Sequence, residues 1–126
     1  MYLFEAYQQP FESELEDFDR GQTPKNLYQP IGYLMDLGGK RIRPFLTLMS
    51  GEAFGVSIKE AMGASMAVEV FHNFTLMHDD IMDKAPIRRG KITVHEKWDI
   101  NTAILSGDAM LILSLIHISE PTRQEA

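Results

Sequence analysis

From Ser57 to Asp83 the chain runs without a proline, and apolar residues at Met62, Met66, Val70, Phe74 and Met77 continue almost all round a helical wheel. Ser57 with Glu60 three residues later makes a capping box, a strong start signal. A helix apolar on most sides belongs in the centre of a bundle. That one segment therefore requires the rest of the chain to supply helices around it.

The breakers divide the remainder accordingly. A short helix is predicted over Glu12 to Phe18, opening after Pro10 with Phe11, Leu15 and Phe18 on one side and ended by Gly21 to Pro24. The next runs from about Leu27 to Leu37, carries Leu27, Ile31, Leu34 and Met35 on one side, and stops at Gly38-Gly39. Pro44 suits the first turn of a third, Arg43 to about Phe54, closed by Gly55. After the central helix, Pro86 and Gly90 mark a loop, and a fifth helix starts near Asp99 or Asn101 and runs through Leu105 and Met110. The predicted class is all-α. With 126 residues, 44% apolar and 24% charged, the chain has material for one domain, and it shows no internal repeat or low-complexity tract.

Composition removes several kinds of chemistry. There is no cysteine, hence no disulfide framework, thiolate metal site or cysteine nucleophile. No run of eighteen apolar residues exists, because Gly107 and Asp108 interrupt the greasiest stretch, and no basic segment precedes an apolar one at the N-terminus. The expectation is a soluble, cytoplasmic protein with no membrane span. A net charge of −6 argues against a nucleic-acid partner. Yet seven of the twelve basic residues fall in two short segments, Lys40, Arg41 and Arg43, then Lys84, Arg88, Arg89 and Lys91. Cations gathered in two places on an acidic chain suit one local anion better than a general surface field.

The candidate site centres on His78-Asp79-Asp80-Ile81-Met82-Asp83, a DDxxD at the end of the central helix. Residues four apart share a helix face, so Asp79 and Asp83 point the same way, with Asp80 about 100° round. Three carboxylates there repel one another and sit at the negative end of the helix dipole, so a cation is needed nearby. Carboxylate oxygens at this spacing suit Mg²⁺, which takes few protein ligands, several waters and a substrate phosphate. A hydrated helix end carrying three aspartates is the plain alternative. His72 lies two turns before Asp79, and Lys40 and Arg43 stand at a helix start, where backbone donors also favour an anion. Such an arrangement fits more than one phosphate group. Tyr28, Tyr33 and Trp98 read as packing residues.

Taken together, Gly38-Gly39-Lys40-Arg41-Ile42-Arg43-Pro44, Glu69-Val70-Phe71-His72, the DDxxD, Arg88-Arg89-Gly90 and Gly107-Asp108 resemble the N-terminal half of a trans-isoprenyl diphosphate synthase, from about Pro10 to Ile112. The resemblance implies the N-terminal part of that family's helical bundle and a prenyltransferase that condenses an allylic diphosphate with isopentenyl diphosphate. It implies that Asp79 and Asp83 hold Mg²⁺ against the allylic diphosphate, with Asp80 supporting them and Arg88 contacting the same group. It assigns Lys40, Arg43, His72 and Arg89 to isopentenyl diphosphate. Phe74 and Thr75, five and four residues before the first aspartate, would form the floor of the product channel and set a C15 to C20 product. A complete member would be a homodimer.

The family's second aspartate-rich motif is absent from these residues, so the resemblance implies one wall of a site with little or no activity by itself. The reading divides the chain into 1–112, the N-terminal part of a polyprenyl synthetase domain, and 113–126, a non-native tail. The string from Leu113 to Arg123 resembles a translated transposase sequencing adapter, which would leave His117 and Glu120 without an evolved role. A noncatalytic helical partner of a prenyl synthase is the rival reading, and the intact Asp79, Asp80 and Asp83 weigh against it.

Overall fold

The computed structural model describes residues 4–18 and 22–119. Its centre is the expected long helix, here α4, Ile58–Met82, which follows α1 (Glu5–Asp17), α2 (Lys25–Asp36) and α3 (Ile42–Ala53). The capping box is formed: the Ser57 hydroxyl accepts from the Glu60 amide at 3.1 Å, and the Glu60 carboxylate accepts from the Ser57 amide at 3.3 Å. Met66, Val70 and Met77 are fully buried along α4. Burial of each contributes roughly 1.5–3 kcal/mol. The chain then forms a two-residue hairpin, β1 (Ile87–Arg88) against β2 (Lys91–Ile92), a single turn α5 (Val94–Lys97), and α6 (Ile100–Ser119). Helix α4 packs chiefly on α6 and α3, so the all-α expectation holds.

Two boundaries differ from the sequence reading. Helix α1 begins at Glu5 and carries Pro10 inside it rather than opening after it. Proline there removes one ladder bond. The helix continues because Phe4, Tyr7 and Phe11 all pack on the Phe45 ring of α3, with ring centroids 5.5, 6.4 and 5.8 Å away. The loop after Pro86 is the hairpin. Arg89 and Gly90 form its turn with φ of 52° and 79°, the left-handed pair of a type I′ turn. Thr93 closes the hairpin from below, donating its hydroxyl to the Ala85 carbonyl at 2.8 Å.

Helix α6 starts where expected, with the Asp99 carboxylate accepting the Thr102 amide at 2.7 Å. This bond holds the Asp99 carboxyl below its ordinary pKa. Gly107 and Asp108 do not break α6, and its segment Ile100–Ile118 is long and apolar enough, by length and composition alone, to cross a membrane. In the fold its Ser106 hydroxyl donates to the Leu27 carbonyl of α2 at 2.8 Å. The helix also runs past Ile112 without a break, and the His117 ring lies 5.4 Å from Phe18. Glu120 lies outside the described residues. Tyr33 and Trp98 pack edge to face at 5.4 Å, as packing residues should.

Candidate active site

Helix α4 carries the site along its C-terminal half. His72 and Asp79 are seven residues apart, an axial rise of about 10 Å on nearly the same side. The structure places cations around the upper point and carboxylates at the lower one.

The three aspartates divide into two kinds. Asp80 is 5% exposed and turned into the protein, where Arg88 of β1 donates Nε and Nη2 to its two oxygens, both at 2.8 Å. This fork on the Asp80 carboxylate is the first cause of the rise in the Arg88 pKa. Asp79 and Asp83 are exposed, and neither side chain makes a hydrogen bond or ion pair among the described residues. The repulsion expected of three aspartates at a helix end is thus relieved chiefly at the middle one, with the Arg88 charge also reaching Asp79. Two open carboxylates on one face are hard oxygen donors, and they fit a divalent cation that retains most of its water. No group of three or more potential metal ligands converges among the described residues.

The cationic end is assembled from three elements. Arg43, in the first turn of α3, brings Nη1 to 3.4 Å from Nε2 of His72. Arg89, at the hairpin turn, donates Nη1 to the Gly38 carbonyl, and its guanidinium lies over Gly39. A Cβ at Gly39 would stand 3.2 Å from that guanidinium, so the second glycine makes room for Arg89. The His72 pKa is lowered, first by burial and next by the Arg43 charge, with Arg89 and Arg88 adding to it and Glu69 opposing. The Arg89 pKa is lowered too, by burial and then by Arg41 and Arg88. In both, burial acts first and the neighbouring arginine charges add to it, so part of each shift reflects cations gathered at this end of the site. Lys40 is exposed beside this group.

Two contributors were missed as site residues. Arg41 sits between Lys40 and Arg43 with φ of 55°, and its guanidinium pairs with Glu69 of α4 and donates to the Met35 carbonyl at 2.6 Å. Its side chain is 9% exposed and that of Glu69 4%. The signal was an acidic residue, Glu69, in the otherwise uncharged stretch of α4 between Glu60 and Asp79. The other is His78, whose ring stacks edge to face on Phe74 at 4.8 Å and lies against Gly107, with Nε2 3.3 Å from the Ile104 carbonyl and 3.8 Å from the Asp108 carboxylate. A Cβ at Gly107 would come within 2.4 Å of that ring, which gives Gly107-Asp108 its physical reason.

Phe74 and Thr75 lie between the two ends of the site. The Phe74 ring is 5.5 Å from Phe71, and the Thr75 hydroxyl donates to the His72 carbonyl at 2.6 Å. Thr75, and not Phe74, lines an apolar groove of about 430 Å³ that begins at Arg43 and His72 and ends at Ile118.

The polyprenyl synthetase family profile matches residues 24–125. The geranylgeranyl pyrophosphate synthase of Geoglobus acetivorans is 46% identical over 97 residues, which are 77% of this chain and 30% of that protein. The geranylgeranyl diphosphate synthase of Methanosarcina mazei is 47% identical over 105 residues, 79% of this chain and 32% of its own length. A crystal structure of a geranylgeranyl pyrophosphate synthase superposes with a TM-score of 0.89 at 55% identity, over 93% of this chain and 36% of that one. The chain spans about a third of the length of the curated relatives it matches.

Proposed function

The chain belongs to the polyprenyl synthetase family, and we propose that it forms the N-terminal part of a Mg²⁺-dependent trans-prenyltransferase that condenses an allylic diphosphate with isopentenyl diphosphate. The observation that carries this is the division of one helix face into two ends: unpaired carboxylates at Asp79 and Asp83, and a cation group at Arg43, His72 and Arg89 about 10 Å away. One end suits a metal-held diphosphate and the other a second diphosphate.

In this reading Asp79 and Asp83 hold Mg²⁺ on the allylic diphosphate. When bound, the ion supplies charge stabilisation to the departing pyrophosphate. Asp80 acts through Arg88, aiming the guanidinium at the same group. Lys40, Arg43, His72 and Arg89 bind isopentenyl diphosphate and fix its orientation, and the apolar wall of α4 excludes water from the reacting carbons. Phe74 and Thr75 limit the product to C15–C20, a reading supported by the geranylgeranyl synthases among the relatives. The complete enzyme is a cytoplasmic homodimer, and the present chain by itself turns over no substrate.

Residues 113–126 are proposed as a non-native tail on the adapter-like string Leu113–Arg123. The unbroken α6 and the family match to residue 125 weigh on the other side. Sequencing an independently amplified source gene across the codons for Ile112 to Arg123 decides between them.

The functional test is a chimera in which residues 24–112 replace the matching third of the Methanosarcina mazei enzyme. Mg²⁺-dependent condensation that is lost in Asp79→Asn is the expected result. A folded chimera that makes no prenyl diphosphate would defeat the reading, and one that only stimulates a separate synthase would favour the noncatalytic partner.

A further inference from the structure

Arg41 and Glu69 stand out because neither is assigned to either diphosphate, yet they form a buried ion pair beside the cation group. Arg41 is a non-glycine residue held in the left-handed region, at φ 55°, where a side chain is disfavoured. Such a backbone persists only where its surroundings impose it. Here they do so through one guanidinium that reaches three helices: Glu69 on α4, the Met35 carbonyl on α2, and the face of Phe11 on α1 at 6.0 Å. Arg41 is also the residue from which α3 departs, as its N-cap.

The sequence neighbours of the pair are the cationic groups themselves. Lys40 precedes Arg41 and Arg43 lies two residues beyond it, both exposed. Glu69 lies three residues before His72 on α4, within reach of its charge. Arg43 and His72 belong to different elements, yet their nitrogens stand 3.4 Å apart. The pair is the buried link between those two elements nearest to them. A buried ion pair is seldom retained for stability, since apolar residues of similar volume often serve as well.

We propose that Arg41 and Glu69 are a positioning pair, whose buried contact fixes the Gly38–Arg43 segment on α4 so that Lys40, Arg43 and His72 grip one diphosphate. The proposal rests on the reading of that cation group as a diphosphate site. Arginine is required in this role, because lysine carries the charge but cannot donate to Glu69 and Met35 at once through a planar fork.

The test is NMR on the full chain with two probes, inorganic pyrophosphate followed at His72 and Mn²⁺ followed by paramagnetic broadening near Asp79 and Asp83. The variants are the apolar double exchange Arg41→Met with Glu69→Leu, which is built to fold, and the milder Arg41→Lys. Pyrophosphate binding should weaken about tenfold or more, the loss of one charge-assisted hydrogen bond, while Mn²⁺ broadening stays as in the parent chain. Retention of both signals would make the pair merely structural and overturn the proposal. Loss of both in Arg41→Lys as well as in the double variant would overturn it too, since the pair would then hold the fold as a whole. If the unaltered chain fails to bind pyrophosphate at His72, the diphosphate reading itself falls, and this inference with it.

Discussion

Arg88 forks both oxygens of Asp80 at 2.8 Å, so the middle aspartate of the DDxxD is a buried structural anion while its two neighbours stay open. The contact also ties the hairpin to the end of α4, because Arg88 is in β1 and Asp80 in the last turn of the helix. The placement of the DDxxD and that of the hairpin are therefore coupled through one carboxylate.

Removing the arginine should expose that coupling. In Arg88→Ala the Asp80 carboxylate keeps its burial and loses both donors, which costs about 1–3 kcal/mol. Urea unfolding of the variant is the measurement. A loss below about 0.5 kcal/mol, the range of ordinary surface changes, would mean that Asp80 finds water or another donor.

The outer aspartates should respond in the opposite sense. Asp79→Asn and Asp83→Asn remove like charges from the negative end of a helix dipole and break no side-chain contact among the described residues. Thermal stability is expected to stay within about 0.5 kcal/mol of the parent or to rise slightly. Mn²⁺ binding should fall in each variant. Unchanged Mn²⁺ affinity in both would remove them from the metal site.

What could be read from the sequence follows from where the information lies. The Ser57 capping box, the Gly38-Gly39 stop and the Asp99 start are local devices, and each stands where its residues predicted. Pro10 misled because the rings that carry α1 through it pack on Phe45, distant in sequence. The Arg89-Gly90 turn is not legible as a hairpin in the sequence, because type I′ turns favour Asn or Asp at the first position and Arg89 gives no such signal. Within the candidate site, residue types and spacing single out the aspartates and the cations proposed for it. They could not show which aspartate turns inward, since that depends on Arg88 arriving from the hairpin. Nor could they show that the middle arginine of the Lys40–Arg43 run is buried, which its left-handed backbone decides.

Gly107 offers a sharper test of packing between α4 and α6. A methyl group there would meet the His78 ring at 2.4 Å, so Gly107→Ala should destabilise the chain by about 1–3 kcal/mol through overpacking, against the helix propensity it gains. His78→Ala vacates the space. The double variant should then be markedly less destabilised than the sum of the two single changes, and a double-mutant cycle by chemical denaturation measures that coupling. Strict additivity would show that the ring yields without cost.

His72 reports on the cation group through its own titration. Burial and the Arg43 charge lower its pKa below 6.5, the unfolded value. The folded chain therefore binds fewer protons than the unfolded chain between the two values. The contribution of His72 to stability is present in full above pH 6.5 and is lost as pH falls through the lowered folded value. Arg43→Ala removes the second cause, so the imidazole midpoint followed by NMR should move up toward 6.5. Pyrophosphate bound beside the ring favours the protonated form, so the midpoint of the unaltered chain should also rise on its addition. A midpoint that moves with Arg43→Ala and not with pyrophosphate would leave His72 next to Arg43 and outside any diphosphate site.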